Sequence, residues 1–493
     1  MSRTKCTTVR IPTVVLVAAA LVGCSSGHKS GASDKAGGSS APTVLRLGDS
    51  DSVDQPDTPT IRYFAARVAK LSGGALRVRI TFQAAGDRTP DVEAQTVRMV
   101  RAGKFDLGWI GARAWDELGV KSFQALQAPF LVTSYALLDR IAMSPIAGEM
   151  LAGLKSQDVV GLALVPDLLR HPVGLERPLA SPADFAGARI RIQPSRATRA
   201  LMTALGAAPV SVSNAAVGAA IGHHRIDGEE LSLGNAGSGS IVTANVTFFD
   251  KALTLFAARH AYEQLSDQQR EILRSAAEQT LRHVVTDRPS ESALARPFCR
   301  DNGRIVLASK RDLAELRRAA RPVYAQLERE AQTKAYIARI RSLKAKTPGD
   351  PPFVVPPGCG RREKAPPPHG ELRSPSIVNG TYHVLFKRAD ALAFGPPATN
   401  PENDHYPGVD TRILRDGKWL SPSDRPRVHA TYTIAGNRIT FVSPQYGSVE
   451  TFTFSLDRKG TLRLIPVLPM NRGDQWVIAG EPWQRVGPPI KIG

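Results

Sequence analysis

Residues Ser181 to Glu230 read SPADFAGARIRIQPSRATRALMTALGAAPVSVSNAAVGAAIGHHRIDGEE, and the order of elements in this stretch decides the fold. Ser181-Pro182-Ala183-Asp184 predicts a helix start, with serine as cap, proline in the first turn and an aspartate favoured by the helix dipole. Arg189–Ile192 alternates, so Arg189 and Arg191 share one face of a short strand while Ile190 and Ile192 pack on the other. SRATRALMTALG predicts a helix closed by Gly206, and NAAVGAAIGHHRIDG another closed near Gly228. The strand between the first two helices carries Arg191. A guanidinium keeps its charge when buried, so it needs an anion there: the carboxylate of a ligand, or that of a neighbouring side chain.

Upstream the same alternation recurs. Val44–Gly48 predicts a strand, and the helix after it sets Ile61, Phe64, Val68 and Leu71 on one face with Gly73 as its stop. Leu76–Phe82 alternates apolar residues with Arg77, Arg79 and Thr81. A second helix carries Val92, Val97 and Val100 and ends at Gly103, and Phe105–Gly111 is a buried strand. This predicts an α/β fold with a parallel sheet and ligand chemistry at the carboxyl ends of its strands. A second α/β unit covers about 160–250, and residues 266–346 are mostly helical, opened by a Ser266–Gln269 capping box and kinked at Pro322.

Residues 347–369 form a proline-rich linker that cannot continue a helix. Beyond it, over 370–493, the helical period gives way to strict alternation, with hairpin turns at Ala435-Gly436-Asn437 and Arg458-Lys459-Gly460. The expectation is a small all-β barrel or sandwich whose core takes Tyr382, Trp419, Tyr432, Phe441, Phe452 and Trp476; an apolar cup lined by them is the alternative.

The N-terminus is a processing signal. Arg3, Lys5 and Arg10 precede an apolar run, Val14–Val22, too short to span a bilayer. It ends in Leu-Val-Gly-Cys, Leu21 to Cys24, and so resembles the lipobox of bacterial lipoproteins. That resemblance implies a signal peptide over 1–23, Cys24 as the lipidated, palmitate-bearing first residue, and a protein anchored by lipid on the extracytoplasmic face of the cell membrane. Residues 24–43 are rich in Ser and Gly, a flexible tether. No other segment is apolar enough to cross a membrane.

The net charge of +19 falls to +16 once the three basic residues of 1–23 are removed. For an exported chain with 6% aromatics this excludes nucleic acid as a partner and leaves a solvated Arg-rich surface, or contact with cell-wall polyanions or anionic lipid. Of four cysteines, Cys299 and Cys359 remain for an oxidising compartment. They can pair, although spacing offers no geometric test of it.

Residues 44–346 resemble the solute-binding proteins of TRAP (tripartite ATP-independent periplasmic) transporters. The fragments that carry the resemblance are SGGALRVRI, AGKFDLGWIGARAW, QAPFLVTS, SPADFAGARIRIQPS, ALGAAPVSVS and IGHHRIDGEE, in that order. The resemblance implies a two-lobed α/β clamshell, with crossovers near 168 and 251, that closes on a small organic acid and delivers it to TRAP-type permease subunits. The family's G-x-x-I-R arginine falls on Arg191 and a second family arginine on Arg170; Glu230 occupies the acidic turn position. Leu231 or its neighbours stand where many members carry asparagine. The C-terminal β domain resembles lipocalin-like appendages of some actinobacterial binding proteins. An orphan ligand sensor or wall-associated scaffold, and the receptor of an ATP-driven importer, are the alternative functions.

Trp109 and Trp115 serve as pocket walls or as core. The loop GDSDSVDQPD holds Asp49, Asp51, Asp54 and Asp57. Four carboxylates facing an anion pocket would repel the guest, so the loop is expected to face solvent; otherwise the ligand also carries a positive group. His223 and His224 cannot share a helix face and no third ligand stands at metal spacing, so no metal and no cofactor are expected. With no G-x-S-x-G, H-E-x-x-H or phosphate-cradling glycine loop, and with Glu229 and Glu230 pointing apart on a strand, the chain is not expected to be an enzyme.

Overall fold

As a computed structural model, the structure describes residues 41–53, 55–237, 239–300, 303–357, 359, 372–386, 408–421, 428–443, 448–467 and 481–488. The signal segment, Cys24, nearly all of the tether, Asp54 and Trp476 lie outside the described residues.

Ten strands precede the linker: β1 (Thr43–Asp49), β2 (Leu76–Thr81), β3 (Leu107–Gly111), β4 (Val159–Gly174), β5 (Arg189–Arg191), β6 (Ala208–Val210), β7 (Gly228–Leu231), β8 (Ile241–Thr243), β9 (Phe249–Ala258) and β10 (Arg304–Val306). They run in the order β2-β1-β3-β9-β4-β7-β5-β6, with β8 on β4 and β10 on β8. The long β4 belongs to two sheets. From Val159 to Arg170 it pairs with β9, and from His171 to Gly174 with β7. The chain thus passes from one sheet to the other along β4, and β9 pairs back onto it.

The expected parallel pairing holds for β1 with β2 and β3, and for β5 with β6 and β7. It fails for β9, which is antiparallel to both β3 and β4. The sheet is mixed because the two crossover strands run in opposite directions between the lobes. Their register shifts between Pro166 and Leu169. Proline has no N–H to give the ladder, and the bulge leaves Asp167 free to turn its side chain off the sheet.

One face of the first sheet buries Leu47, Leu107, Trp109 and Leu255 against helices Thr58–Leu71 and Asp267–Asp287. The other face joins a larger core running through Phe248, Phe249 and Phe256. The capping boxes at Ser181 and Ser266 are both formed. Two helix expectations change. The helix before β7 covers only Val217–Gly222 and stops at His223, with His224 at φ 50° making the turn. Gly228 instead opens β7, where a Cβ would stand 2.7 Å from the Val173 carbonyl oxygen. Pro322 does not kink one long helix but opens a new one, Arg321–Leu327, after Lys310–Ala319 has ended.

Past the linker come β11 (Leu372–Arg373), β12 (Gly380–Phe386), β13 (Gly408–Arg415), β14 (Lys418–Ser421), β15 (Val428–Ala435), β16 (Arg438–Ser443), β17 (Ser448–Leu456), β18 (Thr461–Pro466) and β19 (Trp483–Gly487). Strands β12 to β19 close into an eight-stranded antiparallel barrel through the pairing of β15 with β16, and β11 adds to β15. Of the two expected β architectures, the barrel is the one formed. Tyr382, Trp419, Tyr432, Phe441 and Phe452 fill its interior with Trp483, which the sequence reading had not named. Phe441 meets Trp419 edge-on with ring centroids 5.1 Å apart. The pair Arg412–Asp410, 2.8 Å apart, is enclosed among these rings. Strand β17 lies beside the Val217–Gly222 helix.

Candidate functional site

The strand ends at the junction of the two sheets carry an unusual density of buried charge. Arg170, on β4, has 4% of its surface exposed and sets its Nε 2.9 Å from Glu230 Oε1 on β7. Arg191, on β5, is 5% exposed. Its Nη1 donates to Glu229 Oε1 at 3.2 Å and its Nη2 to Asn214 Oδ1 at 2.6 Å. The alternation along β7 explains the pattern: Glu229 and Glu230 point apart, and each meets one arginine. Burial pushes the Glu229 carboxyl above the usual carboxylate range, and Arg191 counters only part of that.

The other lobe adds two more cations. Arg113, just after β3, donates from Nη2 to Glu93 Oε2 at 2.7 Å, while Glu93 Oε1 accepts from the Gly111 N–H at 2.9 Å. Lys251 on β9 places its Nζ 3.0 Å from Asp167 and 3.4 Å from Asp51. Burial opposes the lysine's charge, but Asp167, Asp57 and Asp51 outweigh it and hold the ammonium above its ordinary range.

Two aspartates of the acidic loop do not face solvent. Asp49 and Asp57 are buried, and Asp57 Oδ2 accepts from Trp109 Nε1 at 2.8 Å. Burial raises both carboxyls, Asp57 to about 6 despite Lys251 and Asp49 well above the usual range with Asp57 and Asp51 adding to the effect. The expectation of a solvated loop is therefore corrected. Local polarity marked the segment as exposed, whereas the fold tucks it under the Thr58–Leu71 helix start, opposite Lys251.

Across the crevice the lobes touch: the Ala215 N–H donates to the Asp87 carbonyl at 3.1 Å, and Asn235 donates to Gln55. Behind the arginines, His171 Nε2 stands 3.2 Å from Glu291, whose other oxygen accepts from the Tyr135 hydroxyl.

Of the residues singled out in the sequence, the fold gathers Arg170, Arg191 and Glu230 at one junction. Trp109 is buried in the core and donates to Asp57; Trp115 is likewise buried and donates to Thr254. Cys299 and Cys359 are joined by a disulfide with Cα atoms 5.0 Å apart. It sits beside Leu231, Leu233 and Phe298, so the linker's Phe353 and Val355 pack onto the second lobe. The sequence reading missed Lys251, Asp167, Glu93 and Arg113. Lys251 was detectable by the reasoning applied to Arg191, since it and Asp250 are the charged exceptions in an otherwise apolar strand, FDKALTLFAA.

A family model described as bacterial extracellular solute-binding protein, family 7 (DctP), matches residues 47–330. The chain belongs to this family. It is 25% identical over 325 residues to the uncharacterized protein y4mM of Sinorhizobium fredii, covering 66% of this chain and 56% of that protein. It is 26% identical over 191 residues to the C4-dicarboxylate-binding periplasmic protein DctP of Rhodobacter capsulatus, covering 38% of this chain and 55% of the relative. The chain thus spans little more than half the length of these curated relatives. A TRAP periplasmic solute-binding protein of Bradyrhizobium in complex with galacturonate superposes with a TM-score of 0.54 at 22% identity, over 60% of this chain and 99% of that one. The two-lobed α/β fold of the family 7 receptors therefore accounts for the chain up to the linker, and the barrel stands beyond it.

Proposed function

We propose that this family 7 protein is an extracytoplasmic receptor that captures a small organic acid and delivers it to TRAP-type permease subunits. No chemistry takes place on the guest; lobe closure around it is the mechanism, favoured because ligand binds the closed form better than the open one. The observation that carries the reading is the burial of Arg170 and Arg191 on β4 and β5, the two strands that flank β7 at the lobe junction, in a chain whose relatives include a C4-dicarboxylate-binding protein and a galacturonate complex. Bidentate contact with a carboxylate is what a guanidinium offers best. The Nη2 of Arg191 rests on Asn214, an exposed side chain, so this is the bond a guest carboxylate would exchange most readily. Charge-assisted bonds of about 1.5–3 kcal/mol each supply a large part of the roughly 8 kcal/mol that micromolar binding requires.

In the same reading, Cys24 carries the lipid anchor after removal of residues 1–23, and residues 24–43 hold the receptor off the membrane. One experiment tests both parts. The protein is purified from its own host's membranes and weighed by mass spectrometry, first native and then denatured. The native protein is expected to carry a small carboxylic acid, and the denatured chain to begin at Cys24 with diacylglyceryl and acyl groups attached. A native mass with no guest after purification in ligand-sparing buffer counts against capture, and an unmodified Cys24 removes the anchor.

A further inference from the structure

The charges at the junction do not balance, and the imbalance has a location. Each arginine is matched by one glutamate: Arg113 by Glu93, Arg170 by Glu230 and Arg191 by Glu229. Lys251 is shared between two aspartates, Asp51 of the acidic loop and Asp167 of β4. Asp49 and Asp57 make no ion pair among the described residues, although both are buried, and Lys251 acts on them only from a distance. Asp57 Oδ1 and the neighbouring Thr58 Oγ1 are buried polar atoms with no hydrogen-bond partner among the described residues. The start of the Thr58–Leu71 helix lies behind them and contributes only about half a positive charge, too little for two carboxylates.

A purely anionic guest fits this arrangement poorly. It would bring one more negative charge to a junction where every arginine already has a carboxylate, next to two that have none. A metal ion does not fit either: among the described residues no three acidic, histidine or cysteine side chains converge as ligands. What the place lacks is a compact cation with several N–H donors. Lys251 links the two halves, since its Nζ lies 3.4 Å from Asp51 of the acidic loop and 3.0 Å from Asp167, three residues before Arg170 on β4.

We infer that the guest is a zwitterion of the amino-acid class, its carboxylate held by Arg170 and Arg191 and its protonated nitrogen set against Asp57, Thr58 and Asp49. This rests on the acid-receptor reading above and narrows it. The buried oxygens of Asp57 and Thr58 then gain donors, and Asp49 and Asp57, whose carboxyls burial raises, gain a cation that Lys251 supplies only in part.

The test is equilibrium dialysis of the full chain against matched pairs differing by one ammonium: glutarate with glutamate, succinate with aspartate, gluconate with 2-amino-2-deoxygluconate. In at least one pair the amino member is expected to bind about ten-fold more tightly or better, the effect of one charge-assisted hydrogen bond. Asp57→Asn, which preserves the acceptor for Trp109, should bring that pair within about two-fold without weakening the plain acid. Asp49→Asn provides the same comparison should the first variant fold poorly. Plain acids that bind as well as their amino partners overturn the inference and leave the acid receptor standing. So does a preference for the amino member that persists in both variants. Retention of neither class removes the receptor reading and this inference together.

Discussion

Asp250 shows how one residue can carry a measurable share of this protein's pH response. It lies on β9 with 1% of its surface exposed, and neither carboxyl oxygen has a partner among the described residues. Burial lifts its carboxyl to about 7, against 3.8 ordinarily. The folded state therefore holds this proton more tightly than the unfolded one. Stability is undiminished below about pH 4, falls as pH rises through about 7, and is constant beyond, a loss on the order of 4 kcal/mol. Asp250→Asn should accordingly be more stable than the parent at pH 8, with the advantage shrinking below pH 7 and gone near pH 4. Urea denaturation at three pH values measures it, and a pH-independent difference would contradict the assignment. Single residues were legible in sequence where chemistry left few options: Arg191 announced a buried anion because it lies on a short strand between the apolar Ile190 and Ile192. Whose anion it meets was not legible, since Glu229 lies 38 positions away and only the parallel pairing of β5 with β7 brings the two together.

At the scale of elements, the start of β7 is tightly packed. Gly228 begins it, and a Cβ there would meet Leu179 Cδ1 at 2.6 Å and the Val173 carbonyl at 2.7 Å. The second contact is with backbone, so relief requires β4 and β7 to part, and Glu229 and Glu230 would move with them. Gly228→Ala is expected to cost roughly 1–3 kcal/mol, the range for overpacking a tight interior. Chemical denaturation reads this out, and a midpoint equal to the parent's would show that the strands can separate freely. The sequence pattern placed this glycine at a helix end, because glycine serves there just as well; deciding between a left-handed cap and a close approach requires knowing what lies opposite. The antiparallel course of β9 was hidden for a related reason. Period and composition report that a strand is buried and say nothing of its direction. Short helices and strands of the lobes, by contrast, could be read from caps such as Ser181 with Asp184 and Ser266 with Gln269, whose bonds are local.

For the molecule as a whole, two lobes share the strands β4 and β9, and the barrel leans on the second lobe through β17 while the Cys299–Cys359 disulfide fastens the linker to the same lobe. The acidic loop is where tertiary context overrode local reading, since only the assembled sheet of β1, β3 and β9 sets Asp49 and Asp57 near Lys251. The central claim is that the arginines at the junction exist to hold a guest's carboxylate rather than to brace the fold. Removing Arg191 alone would strand Glu229 as a buried charge and destabilise the protein for an unrelated reason. The direct measurement is therefore thermal unfolding of the full chain and of the double variant Arg191→Gln with Glu229→Gln, each with and without millimolar galacturonate, succinate, glutamate and aspartate. The account predicts that at least one of these raises the midpoint of the parent by several degrees, since ligand at about a hundred times its Kd adds roughly 2.7 kcal/mol. It predicts no such rise in the double variant, whose ligand-free midpoint stays near the parent's. An equal rise in both proteins would contradict the claim and leave the arginines as structural braces.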